Sequence, residues 1–209
     1  MKKDVVKVAE DRKELEDGQV EVTVVNRMPR YEATAHYASY CDSIIEDMKE
    51  AHKIWTTKHN REGFESLNTD EDWEPEGNSF KDDLASFQQY LDKTYGVGQY
   101  EAYGLGAYVH SAVSFSISKG PDCRCRWDSG TIGFIGMNKT INMDVADINK
   151  AARILSDAWN GWVVSYGVYD NLTQDWVDFC DSIDDNLEDW KKSTAEEYHI
   201  SWDNVEPEC

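Results

Sequence analysis

The chain has 209 residues, with 41 acidic against 21 basic side chains and a formal net charge of −20. Its 8 Trp, 11 Tyr and 6 Phe exclude a disordered acidic tail, because bulky apolar groups can support a core. The charge argues against a broad phosphate-binding surface. No apolar run approaches the ~18 residues of a membrane helix, and MKKDVVKVAEDRKELEDG lacks the apolar stretch of a secretory signal.

The first 18 residues are charged and mixed. QVEVTVVN follows, with Val20, Val22 and Val24 at period two, and reads as a strand. Ser39 is a candidate cap for a helix whose apolar stripe runs Ile44, Ile45, Met48, Ala51, Trp55. Residues 60–78 read as a loop broken by Asn68, Pro75 and Gly77. Ser79 caps a second helix, with Phe80, Leu84, Phe87 and Leu91 inward and Gly96 at its end. YEAYGLGAY is glycine-rich and turn-like. AYVHSAVSFSIS alternates throughout and reads as one strand, with Val109, Ser111, Val113, Phe115 and Ile117 on one face.

After a turn at 119–122, TIGFIGM reads as a short strand. A third helix is expected over about 144–159, with Val145, Ile148, Ala152, Leu155 and Trp159 as its stripe and Asn160-Gly161 as its stop. WVVSYGVY alternates as a strand, placing Trp162, Val164, Tyr166 and Val168 on one side. From Trp176 two patterns fit. One is a helix with Trp176, Phe179, Cys180, Ile183, Leu187 and Trp190 inward and Asp178, Asp181, Asp185, Glu188 and Asp189 outward. The other is a return strand through WVDFC, with a helix from Asp181 or Ser182.

Strands joined by short turns, with helices to cover them, define an α+β fold: a mixed or antiparallel sheet with amphipathic helices and acidic outer faces. One domain over 1–209 is expected, with 101–190 as its core region and 1–100 less clearly patterned. The five cysteines (41, 123, 125, 180, 209) are odd in number and read as reduced thiols in a cytoplasm. Cys123 and Cys125 form C-x-C, which lacks the spacing of a zinc site, so no metal or cofactor is expected.

Charge is unevenly placed. Residues 61–90 sum to −7 and 171–209 to −10, whereas 91–170 sum to only −1. Two patches stand out as partner-binding candidates: Asp181, Asp184, Asp185, Glu188 and Asp189, and separately Asp70, Glu71, Asp72, Glu74 and Glu76. In the near-neutral centre, Arg124, Arg126, Trp127, Asp128 and Ser129 form an alternative ligand site. The simpler account there is an arginine–carboxylate pair and a D-S-G turn setting strand register.

Residues 103–183 carry a distinctive set: the HSAVSFSIS stretch, the C-R-W-D-S-G-x-I-G-F-I segment, the helix after it, and GWVVSYGVYD followed by WVDFCDS. This set resembles a group of uncharacterised bacteriophage and mobile-element proteins. The resemblance implies a phage origin and no catalytic residue; Cys123 and the acidic C-terminal segment depart from the pattern.

No P-loop, dinucleotide fingerprint, G-x-S-x-G, H-E-x-x-H or EF-hand loop is present. His110 and Ser111 point to opposite faces if both lie on one strand, so they make no nucleophile–base pair. The reading is therefore a non-enzymatic accessory protein of the host cytoplasm. Its acidic surface would imitate DNA, which carries one charge per ~1.7 Å of axis, and so inhibit a host defence or nucleic-acid-binding protein. Carboxylates three and four apart on a helix, ~5–6 Å between Cβ atoms, approach that spacing. The alternative is a small ligand- or protein-binding module using the central Arg, Trp and Tyr residues, with acidity serving solubility. Neither reading involves direct nucleic-acid binding or a membrane.

Overall fold

The computed structural model describes residues 5–14, 20–57, 63–69, 73–75, 77–122, 124–125, 128–140 and 145–208, with backbone alone up to Met28 and at 145–146. The fold is α+β with antiparallel sheets. Its contacts divide the chain into two units: Met1–Ala38 with Val163–Cys209 (unit 1), and Ser39–Trp162 (unit 2).

Unit 2 begins with helix α1 (Cys41–Ala51), which runs into strand β4 (Lys53–Thr56). Next come a 3-10 turn (Phe64–Leu67), α2 (Phe80–Tyr95), β5 (Tyr100–Val109), β6 (Val113–Ser118), β7 (Ser129–Asn138) and α3 (Val145–Trp159). The strands form one sheet in the order β4-β7-β5-β6. Alternation along them builds two cores. Ile54, Leu105, Phe115 and Ile135 pack with Met48 of α1 and Leu155 of α3. Trp55, Ala102 and Phe134 pack with Phe87 and Leu91 of α2. Each large apolar side chain so buried contributes about 1.5–3 kcal/mol.

Several expectations hold. Ser79 caps α2, its hydroxyl accepting from Asp82 N–H, and Gly96 follows the last turn. Others are corrected. Ser39 caps nothing: α1 starts after Tyr40 with no side-chain cap bond. Trp55 leaves the α1 stripe for β4, because the helix stops at Ala51 and a four-residue strand mimics one more helical turn. The segment 60–78 contains the 3-10 turn, with Phe64, Leu67 and Trp73 buried.

YEAYGLGAY is not a turn but most of β5, the strand paired on both sides by β6 and β7. Its glycines make room: a Cβ on Gly104 would sit 2.6 Å from the Phe80 ring, and one on Gly106 would collide with Asp122. AYVHSAVSFSIS is not one strand either. Val109 pairs with Val113, and His110, Ser111 and Ala112 form a three-residue hairpin loop. An odd-length loop keeps the alternation in phase, so periodicity alone does not reveal it.

Unit 1 contains β1 (Val5–Glu14), β2 (Val20–Pro29), β3 (Tyr31–Tyr37), β8 (Val164–Asp170), β9 (Asp175–Asp181) and α4 (Leu187–Tyr198). β1 and β2 pair with each other; β1 arises from the stretch whose mixed charge gave no strand signal. β3, β8 and β9 form a second antiparallel sheet with β8 in the middle. Trp162 lies ahead of β8 and is exposed.

The sheet edges are treated differently. On β6, Asn160 of the α3 end accepts from Val113 N–H (3.0 Å) and donates to Val113 C=O (2.7 Å), and Ser156 Oγ accepts from Phe115 N–H (2.9 Å). On β4, Thr56 N–H donates to Asn68 Oδ1, and Thr69 N–H donates to Ile54 C=O (2.9 Å). On β3, Glu208 N–H donates to Ala35 C=O (3.0 Å). Such caps satisfy the backbone groups an edge strand leaves unpaired.

Candidate protein-binding surface

The acidic run from Asp175 to Asp189 lies in unit 1, and the chain adopts the return strand: β9 ends at Asp181, but α4 begins at Leu187 rather than at Asp181 or Ser182. The all-helical pattern is thereby overturned. Asp181, Asp184 and Asp185 precede the helix, and Glu188 and Asp189 are neighbours in its first turn. The helical carboxylate spacing read from Asp181, Asp185 and Glu188 does not exist. The strand prevails because alternate β9 residues meet a partner on one face only.

That covered face holds Tyr31, Ala35, Tyr166, Val168, Asp178 and Cys180. Trp190 of α4 donates Nε1–H to Asp178 Oδ1 (3.1 Å), and Tyr198 packs edge-on against Tyr31 (5.0 Å between centroids). Lys191 Nζ lies 3.6 Å from the Tyr166 ring centre, and Trp202 packs against both Tyr166 and Trp190. The opposite face carries Phe179 and Trp176, both expected inward and both exposed (69% and 42%). The Trp176 ring lies where a Cβ of Gly167 would be, with His36 5.1 Å and Tyr169 5.8 Å away between ring centres. Val177, at the β9 bulge, is 43% exposed.

Several acids here do internal work. Asp181 Oδ1 accepts from Ser165 Oγ (2.7 Å), and Asp184 Oδ2 accepts from Asp181 N–H (3.0 Å) and Cys180 Sγ–H (3.5 Å). Burial first, and then the Asp184 carboxylate, push the Cys180 thiol up to about 11, so it stays protonated and unreactive at neutral pH. Asp185, Glu188 and Asp189 are exposed. The last two also favour the N-terminal end of α4, where backbone N–H groups are unpaired.

The second patch falls largely outside the described residues: Asp70, Glu71, Asp72 and Glu76 are not described, and Glu74 is exposed. Of the central set, Arg126 and Trp127 likewise lie outside. Arg124 is committed to Asp122: Nε and Nη2 donate to its carboxylate (3.0 and 2.8 Å), and Nη2 also donates to Ser114 C=O (2.7 Å). The Asp122 side chain is 2% exposed and accepts from Ser116 Oγ as well. Burial opposes its charge, but the hydrogen bonds from Arg124 and Ser116 prevail and hold its carboxyl below the usual range. Ser129 Oγ accepts from Cys125 N–H and donates to Cys125 C=O, closing the turn that leads into β7. Asp128 stands 3.9 Å from His110 Nδ1 and accepts weakly from the Cys125 thiol. Together these contacts pin Asp122 and Arg124 across β5 and β6.

An open cleft of about 390 Å³ runs between Pro29–Ala33 and Glu197–Ser201. Its Arg30 is turned to Asp170 (3.4 Å), and both signs of charge line it, so it selects no ligand class. Among the described residues no cluster of three or more His, Cys, Asp or Glu is placed to hold a metal ion, and no helix is long and apolar enough to cross a membrane. Sequence reasoning missed Trp176, Val177 and Phe179 as surface residues. Their signal was that the strand pattern, unlike the helical one, leaves an aromatic side chain on each face.

No protein-family model matches the sequence, and neither a curated protein nor a solved structure gives a match.

Proposed function

We propose that the protein is a non-enzymatic, phage-type accessory protein that inhibits a host defence or nucleic-acid-binding protein by occupying its basic surface. The observation that carries this is the exposure of Asp185, Glu188 and Asp189 beside β9, while the neighbouring Lys191 turns its ammonium onto Tyr166 rather than toward them. Carboxylates so displayed attract a basic groove and speed encounter with it. The mimicry is one of charge density, not of helical phosphate spacing. Because Arg124 is engaged by Asp122 and Ser114, no observation favours an anion site in the central segment.

The test compares wild type with the D185K/E188K/D189K variant and the neutral D185N/E188Q/D189N variant. Proteins captured from host lysate are eluted in rising salt, and each is then assayed for DNA binding. Wild type is expected to displace DNA from its captured partner, and the charge-reversed variant to do so at least tenfold less well, with the neutral variant between. Equal displacement by all three would overturn the proposal.

A further inference from the structure

We infer that the outer edge of β9 is a docking strand for an extended, basic segment of a protein partner. This rests on the proposed function in that it takes the partner to be basic. Its own support comes from backbone geometry.

Three of the other edge strands are capped in part by the protein itself: β6 at Val113 and Phe115 by Asn160 and Ser156, β4 at Ile54 and Thr56 by Thr69 and Asn68, and β3 at Ala35 by Glu208. On β9, Ser182 N–H reaches Val164 C=O, so in the register Ser165↔Asp181 and Gly167↔Phe179 the even residues bond to β8. Phe179 and Asp181 then face outward. Asp181 is capped by Asp184 in both directions: its N–H donates to the Asp184 carboxylate, and its C=O accepts from Asp184 N–H. At Phe179 no cap from the described residues occurs. The open position is also where apolar surface is most exposed, with Trp176 and Val177 beside it. An edge with free backbone groups and exposed aromatics is what strand addition uses.

Charge selects the occupant. Asp175, Asp178 and Asp181 recur along β9, and Asp185, Glu188 and Asp189 follow. A second copy would bring two acidic segments together, and in the antiparallel register centred on Asp178 it sets Asp178 against itself and Asp175 against Asp181. A strand carrying Lys or Arg at alternate positions gains on both counts. Alternate positions share one face, so its cations lie together over Trp176 and Phe179, on the face that also carries Asp181.

The probe is a fluorescein-labelled Lys-Val-Lys-Val-Lys-Val-Lys peptide, used with the full chain and followed by anisotropy in low and high salt. Two further forms carry N-methyl groups on either the lysines or the valines, each abolishing the hydrogen bonds of one peptide edge. Strand addition predicts that one methylated form binds at least tenfold more weakly while the other stays within about twofold, and that exchange of the Phe179 amide slows on binding. If both methylated forms match the parent, contact is electrostatic only: the docking strand is overturned and the acidic-surface reading survives. Absence of parent-peptide binding in low salt also overturns the docking strand, and leaves the displacement assay to judge the other reading. Slowing of Phe179 exchange with protein concentration alone would assign the edge to a second copy and overturn the basic occupant.

Discussion

In unit 2 both outer strands engage the protein's own side chains. The Asn160 amide stands in for a peptide group beside Val113, and Asn68 does the same beside Thr56. In unit 1 the chain caps β3 at Ala35 with Glu208 but leaves β9 open at Phe179, among carboxylates. The contrast separates two ways of keeping an edge from sticking to copies of itself. One removes the free hydrogen-bonding groups; the other leaves them and adds like charge. Only the second leaves an edge that another molecule can use.

The largest expected effect breaks a closed edge. Asn160→Ala removes both the acceptor for Val113 N–H and the donor to its carbonyl, and should cost about 2–4 kcal/mol in urea unfolding. Asn160→Asp keeps the acceptor and should lose roughly half as much. A second effect reads how tightly unit 2 is sealed behind β4. His52 is buried, its Nδ1 accepting Asn138 N–H (3.3 Å), and burial lowers its pKa to about 4. The folded ring stays neutral while the unfolded chain, with an ordinary value near 6.5, takes up a proton first. Stability is therefore full above pH ~6.5 and falls as pH drops toward ~4, by about 3 kcal/mol in all. His52→Gln should flatten that slope, measured as urea midpoints between pH 7 and 4.5. Below that range the lowered carboxyls of Asp122 and Glu101 add a further acid-side loss.

Asn68→Ala opens β4 at Thr56 and should cost about 1–2 kcal/mol by the same assay. The smallest effect sharpens the contrast from the other side. Phe179→Ser on the open edge should change stability by no more than about 0.5 kcal/mol, because the ring is mostly in solvent. A loss above about 2 kcal/mol would mean that Phe179 supports the fold and that β9 is not an open edge.

Much of this was legible in the residues. Ser79, Phe87, Leu91 and Gly96 announced α2, and Val145 to Gly161 announced α3, because a long amphipathic period with caps admits one solution. Short elements were not legible. Trp55 sits four residues after Ala51, so a strand and a helical turn place it alike. The β5–β6 hairpin hid inside an unbroken alternation because its loop keeps phase. Gly104 and Gly106 signalled a turn locally, yet serve packing by Phe80 and Asp122, partners distant in sequence. For the candidate surface, the sequence located the acidic segment but not its exposed aromatics. Which side of Trp176 and Phe179 faces inward depends on where α4 packs, and no local pattern encodes that.

The closure of β3 by Glu208 has a kinetic consequence. Unit 2 is one continuous stretch, whereas unit 1 is assembled from both ends of the chain, with β3 pairing to β8 and the whole of unit 2 made between them. At about 5–20 residues per second of synthesis, β3 waits several seconds or more for its first partner. Unit 2 can complete its sheet in that interval. The unit bearing the open acidic edge is then the last to form, so the proposed docking surface exists only after the whole of unit 2 has been made.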